Sequence, residues 1–194
     1  GNNYFSPNGK GTMEHFVKYA EYLYDRLGER GMFSAPTGSH DEIRMATGKS
    51  PKMCKCIMAF LLTFKSIPFV YYGDEIGMEH NFAVSKDGGG IRTGARTPMQ
   101  WDASENAGFT IGEPWIAVNP NYLSINAAKQ VNDPDSVFSC YQKLIKLRKE
   151  HDVIWNGDFK LYCPEDPDLF LYTRENEQEK LLVVANFHGD TIPM

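Results

Sequence analysis

The sequence predicts an α/β fold, a strand–helix–strand unit followed by a small antiparallel β region. Three observations predict it. A short apolar stretch, GMFSA (31–35), and a longer one, IPFVYY (67–72), flank a strongly helix-forming segment. A strand–helix–strand with short connections makes its two strands parallel neighbours. After Asp152 the pattern changes to short alternating or apolar runs between polar turns, which reads as antiparallel sheet.

The elements follow in order. Thr12 is placed to cap a helix running to about Arg26, in which Met13, Phe16, Val17, Ala20, Leu23 and Leu27 recur at helical spacing and Gly28 is the stop. GMFSA is the first strand. Ser50-Pro51 starts a second helix, with serine as cap and proline in the first turn, and CKCIMAFLLTFK continues it, apolar on nearly every face. IPFVYY is the best strand signal, an unbroken apolar run of the kind covered on both faces. Residues 81–133 are rich in Gly, Asn, Asp and Pro, and GGG at 88–90 marks a mobile loop. SVFSCYQKLIKLRKE is an amphipathic helix with Val137, Phe138, Tyr141, Leu144 and Ile145 on one side and its basic residues at the end the dipole favours. VIWNGDFKLYC, LFLYTR and KLLVVANF then read as strands joined by EDPD and ENEQEK turns, with a domain boundary near 150.

Composition narrows the function. A chain of 194 residues with 42% apolar and 13% aromatic residues can bury one good core or two modest ones, which excludes a disordered chain. A net charge of −5 without a basic block argues against nucleic acid or an anionic membrane as partner. Cys54 and Cys56 are too close on a helix to bridge, and with Cys140 and Cys163 they read as free thiols in a reducing compartment. The sequence has no Asn-x-Ser/Thr acceptor, no signal peptide and no apolar run long enough to span a membrane. Gly1 in place of Met suggests an excised segment.

Chemistry in a parallel α/β layout collects beyond the C-terminal ends of the strands. SHDEIR (39–44) follows the first strand and GDE (73–75) the second, so both acidic clusters are expected on one face. Helix capping or loop solvation would also explain such residues. A metal site is disfavoured, because consecutive residues diverge and no second His or carboxylate completes a shell. GGGIRTG does not run from a strand into a helix, so it is no phosphate loop. Arg92, Arg96, Trp101 and Asp102 in the following segment suit sugar binding, and Trp101 equally suits anchoring a long loop.

HD after a short strand, FVYYGDEIGM, RTPMQWDASENAGFT and the helix ending KLIKLRKE, in that order, resemble the α-amylase superfamily. The likeness is to its isomaltase, α-glucosidase and trehalose-synthase-like members. The resemblance implies that residues 1–150 are the C-terminal portion of a (β/α)8 TIM barrel, two parallel strands with the sixth and seventh helices of its outer ring. Residues 151–194 would be a truncated C-terminal antiparallel β domain. It implies retaining cleavage or transfer of α-glucosides without a cofactor. Asp41 matches the carboxylate that stabilises the transition state, His40 a hydrogen-bond donor to the same sugar, and Arg96 an arginine on the acceptor side of the cleft. The family's nucleophile and acid/base lie on the fourth and fifth strands, and a whole barrel needs roughly 250 residues. The chain is therefore expected to be a cytoplasmic enzyme's C-terminal fragment, inactive alone and prone to self-association. A non-catalytic amylase-like binding or assembly protein is the alternative.

Overall fold

The computed structural model describes residues 13–163, 165–166 and 168–187. Helix α1 spans Met13–Leu27, and the chain leaves it through a 3-10 turn at Gly28–Arg30, with Gly28 at φ +54°. The predicted cap Thr12 lies outside the described residues. Strands β1 (Ser34–Pro36) and β2 (Ile67–Phe69) form a two-stranded sheet. Ile67 N donates to Phe33 O and Thr37 N to Phe69 O, both at 3.0 Å, so the bonds advance in step along both strands and the pair is parallel. Helix α2 (Pro51–Thr63) connects them, and Ser50 caps it as predicted, its Oγ accepting from Met53 N at 3.2 Å.

β2 corrects the sequence reading in length and burial. The strand is three residues long, and Ile67 and Phe69 are 48% and 58% exposed rather than covered on both faces. Its one partner among the described residues is β1. Pro36 and Pro68 alternate with the bonded residues, so the N–H that each lacks would have faced away from the partner strand.

The chain divides into two compact units. The first comprises, among the described residues, 13–35, 56–68 and 144–187; the second comprises 36–55 and 69–143. An aromatic core fills the first unit. Phe16 and Phe170 lie 5.4 and 5.0 Å from Phe60 between ring centroids, and Phe64 lies 5.0 Å from Phe159. Each such pair contributes about 0.5–1.5 kcal/mol beyond its buried area. Arg148 donates to Leu62 O at 2.9 Å, to Phe64 O at 3.0 Å and to Ser66 O, satisfying carbonyls that the end of α2 leaves open.

The same unit holds an antiparallel meander of β3 (Asp158–Tyr162), β4 (Leu169–Glu175) and β5 (Lys180–Asn186). Asp158 pairs with Glu175 and Leu169 with Asn186. Asn176 Oδ1 accepts from Gln178 N and Glu179 N, which closes the ENEQEK turn. VIWN, expected as part of a strand, is instead the short helix α5 (Val153–Asn156). Asp152 O accepts from Trp155 N and Asn156 N, and Asp152 Oδ1 accepts from Trp155 Nε1, so local bonds to one aspartate override the β preference of the segment.

In the second unit Ile76, Met78 and Met99 form a small core against Ala127 and Phe138. Helix α3 (Ala127–Gln130) precedes α4 (Val137–Glu150). Gln130 joins the parts, donating to Ile76 O at 2.7 Å and accepting from Phe138 N at 3.2 Å. On α4 the predicted apolar face holds at Val137 and Tyr141, whereas Ile145 is exposed. All four cysteines are free thiols.

Replacing Phe60, which is fully buried, by Ala is expected to cost about 3–5 kcal/mol in a denaturant titration. Ile145→Ala is expected to stay within about 0.5 kcal/mol of the parent, as an exposed substitution does.

Candidate active site

The site is built where β1 ends. Thr37 hands the chain to Gly38, Ser39, His40 and Asp41, and Ser39 Oγ accepts from Asp41 N at 3.2 Å to set the turn. His40 and Asp41 are exposed. Arg96 Nη2 donates to Asp41 Oδ1 at 2.9 Å, while its Nε donates to the carbonyl of His40 at 2.9 Å. One guanidinium thus fixes both the backbone and the carboxylate of the HD pair. Arg92 Nη1 reaches the same Oδ1 at 3.4 Å, and His40 Nε2 lies 3.2 Å from Oδ2. Desolvation pushes the Asp41 carboxyl upward, but His40, Arg96 and Arg92 outweigh it and hold the group below its ordinary range.

Arg96 is delivered by the 3-10 helix Gly90–Ala95, which begins at the last glycine of GGG. Gly94 is needed there, because a Cβ would collide with Asn81 O and the His80 ring. Two tyrosines from the end of β2 hold the turn from below. Tyr71 OH donates to Ala95 O at 3.2 Å and Tyr72 OH to Thr97 O at 2.7 Å. Arg44, almost fully buried, lies 5.0 and 4.6 Å from the centroids of these two rings and donates to Tyr72 O at 2.7 Å.

Asp74 lies deeper, with no exposed surface. Its Oδ2 bonds Thr37 Oγ1, and its Oδ1 has no partner. Burial pushes its carboxyl up to about 6, against the opposing pull of the Thr37 hydrogen bond and Arg44. Gly73 before it, at φ +86°, has no room for a side chain beside Met78 and Arg44.

The structure brings the three sequence-predicted site residues His40, Asp41 and Arg96 into direct contact. The two acidic clusters share this unit at different depths, Asp41 at the surface and Asp74 in the interior. Asp102 is occupied within its own loop, accepting from Ser104 N at 2.8 Å and from Ser104 Oγ. The Trp101 side chain is exposed, and its backbone accepts from Ala128 N and donates to Ala107 O. Thr37, Arg44, Tyr71 and Tyr72 were missed, although YYGD after a strand was the available signal. Among the described residues no group of three or more His, Cys, Asp or Glu is placed to hold a metal ion, and no helix is long and apolar enough to cross a membrane.

A polar site at the carboxyl ends of adjacent parallel strands is the arrangement of α/β proteins, barrels among them. Residues 9–157 match the alpha amylase catalytic domain, and the chain belongs to the alpha-amylase family. It is 38% identical to an oligo-1,6-glucosidase of Heyndrickxia coagulans, over 96% of this chain and 41% of that protein. Identity to a trehalose-6-phosphate hydrolase of Bacillus subtilis is 37%, over 71% of this chain and 30% of that protein. The isomaltulose synthase of Erwinia rhapontici NX5 superposes with a TM-score of 0.82 at 32% identity, covering 95% of this chain and 39% of that one. The fold is accordingly the C-terminal part of a (β/α)8 barrel followed by a small antiparallel β region, and the chain spans about two-fifths of the length of the first of these relatives.

Replacing Arg96 by Leu is expected to raise the Asp41 carboxyl toward its ordinary range, read by 13C titration of labelled aspartate. Arg92→Leu is expected to raise it less, because Arg92 stands at 3.4 Å where Arg96 stands at 2.9 Å.

Proposed function

We propose that these residues are the C-terminal portion of the catalytic barrel of a retaining α-glucosidase that cleaves or transfers α-glucosidic bonds in short gluco-oligosaccharides. The observation that carries the reading is the Asp41 carboxylate at the end of β1, held ionised by Arg96 and Arg92. Asp41 binds the 2- and 3-hydroxyls of the sugar and opposes the positive charge that grows as the ring flattens in the oxocarbenium-like transition state. His40 donates to the same sugar, and Arg96 lines the acceptor side while keeping Asp41 in place. The oligo-1,6-glucosidase and trehalose-6-phosphate hydrolase relatives support an α-linked glucose donor.

Barrel residues run to about 150 and the β domain from 151. The family match over 9–157 and the meander that begins at Asp158 support a change of architecture in this part of the chain, a few residues beyond that boundary. The enzyme works in the cytoplasm, in keeping with its four free thiols. The nucleophile and the acid/base reside on barrel strands beyond these 194 residues, so the chain alone does not turn over substrate. It self-associates instead, through β2 and its exposed Ile67 and Phe69.

Pure 194-residue chain is expected to release no glucose from isomaltose, maltose or a nitrophenyl α-glucoside; measurable turnover overturns that part of the reading. Size-exclusion with light scattering is expected to give a mass above the monomer's 22.0 kDa, and a clean monomer rejects the self-association. Within the polypeptide that carries the nucleophile, Asp41→Asn is expected to lower kcat on the order of 100-fold or more. An unchanged kcat there removes Asp41 from the reaction.

A further inference from the structure

A cavity of about 420 Å³ lies where α2 and α4 begin. All of its lining belongs to the unit of residues 36–55 and 69–143, and it shares no residue with the His40–Asp41–Arg96 constellation. Its volume falls within the roughly 300–1,000 Å³ usual for small-molecule sites.

Pro51, Ile76, Ile125 and Val137 contribute its apolar lining. The polar lining is held in place by hydrogen bonds of its own. Glu79 Oε1 accepts from Gly48 N at 3.4 Å and Glu79 Oε2 from Asn121 Nδ2 at 3.0 Å, so two segments orient this carboxylate. Asp133 Oδ1 accepts from Asp135 N at 2.9 Å. Lys129 Nζ donates to Leu123 O at 2.7 Å, and Ser124 Oγ donates to Asn121 O at 3.0 Å. None of these groups is used up. A carboxylate oxygen accepts more than one bond, an ammonium carries three protons, and a hydroxyl oxygen has two lone pairs. Lys49 completes the set, half-buried, its amine pushed below the ordinary range by burial, so its ammonium gains from an acceptor brought to it.

The lining charges nearly cancel. Lys49 and Lys129 stand against Glu79, Asp133 and Asp135, and the first turns of α2 and α4 add partial positive charge that offsets the extra carboxylate. So balanced a lining has little net field with which to select an anion or a cation. Nor are the three carboxylates grouped to hold a metal ion. What the cavity offers is donors and acceptors interleaved with apolar surface. A hydroxyl group donates to a carboxylate and accepts from an ammonium at once, and a sugar ring carries several hydroxyls on a hydrocarbon frame.

We propose that this cavity binds a neutral polyhydroxylated molecule the size of one sugar ring, its hydroxyls donating to Glu79 and Asp133 and accepting from Lys49 and Lys129. The inference goes beyond the reading of Asp41 and does not rest on it.

The test titrates glucose into the intact polypeptide that carries these residues, labelled with 15N. The amide signals of Gly77, Ser124 and Asp135, all from the lining, are expected to move together and to saturate with one Kd. Lys49→Met, which breaks none of the bonds described above, and Glu79→Gln, which keeps the side-chain shape, are each expected to raise that Kd about tenfold, as loss of one charged hydrogen bond does. Glucuronate and glucosamine, the same ring with one charge added, are expected to bind more weakly than glucose. Signals that stay still or fail to saturate by about 0.1 M glucose overturn the proposal, as does movement confined to His40 and Asp41. So does an unchanged Kd in Lys49→Met, or tighter binding of either charged sugar. The readout needs no glucosidase turnover, so failure of the Asp41 reading and failure of this one are separate results.

Discussion

Parallel pairing of β1 with β2 is the constraint on which the site depends. An antiparallel pair would send the turns after the two strands to opposite ends of the sheet. In step, both strands deliver their turns at one end, so that Thr37 can meet Phe69, Tyr71 and Asp74 although they lie more than thirty residues on. The helix between the strands makes that arrangement obligatory, because a parallel connection needs a crossover and α2 supplies it. The strands themselves are short, so their ladder contributes few bonds. Side chains at their ends do much of the holding.

Those side chains form a layer of buried polarity under an exposed pair. Arg44 is shielded against Tyr71 and Tyr72, which accommodate its charge on their ring faces and pass their hydroxyl protons to Ala95 O and Thr97 O. The arginine that organises the tyrosines therefore also fixes the turn that delivers Arg96. A charge buried with so few hydrogen bonds is costly, and cost of this kind is common where a site needs rigidity more than the fold needs stability. The surface ion pairs show the contrast. Lys18–Glu14 and Lys146–Glu150 lie open to water and contribute little, whereas Arg96 gains by joining two atoms of one turn.

Much of this was legible in the sequence, and the gaps have physical causes. Helical spacing placed α1 and α4 closely, because burial of one face at a 3.6-residue period leaves a strong imprint, and the Ser50-Pro51 start placed α2. HD and ARTPMQW named the residues that meet. VIWN misled because an aspartate's local hydrogen bonds carry no periodic signature. IPFVYY misled on burial, since an apolar run reports what a strand is suited to face and not what this chain places there. Arg44 and Thr37 escaped notice for a further reason: arginine and threonine are usually surface residues, and only the fold reveals them as the floor of a site.

The placement of charge around Asp41 bears on how such a site performs. Two guanidinium groups and an imidazole surround its carboxylate. Arg96 and Arg92 both converge on Oδ1, leaving Oδ2 with His40 as its close neighbour. In the role proposed for Asp41, a carboxylate held from one side offers its other oxygen to sugar hydroxyls and needs little reorganisation to do so. In that proposed role, preorganisation of this kind favours the transition state, because a fixed negative charge gains most when positive charge develops on the sugar ring. The arginines weaken that field by their own charge, yet without them the exposed Asp41 side chain would sample several rotamers. Orientation is gained at the expense of field strength.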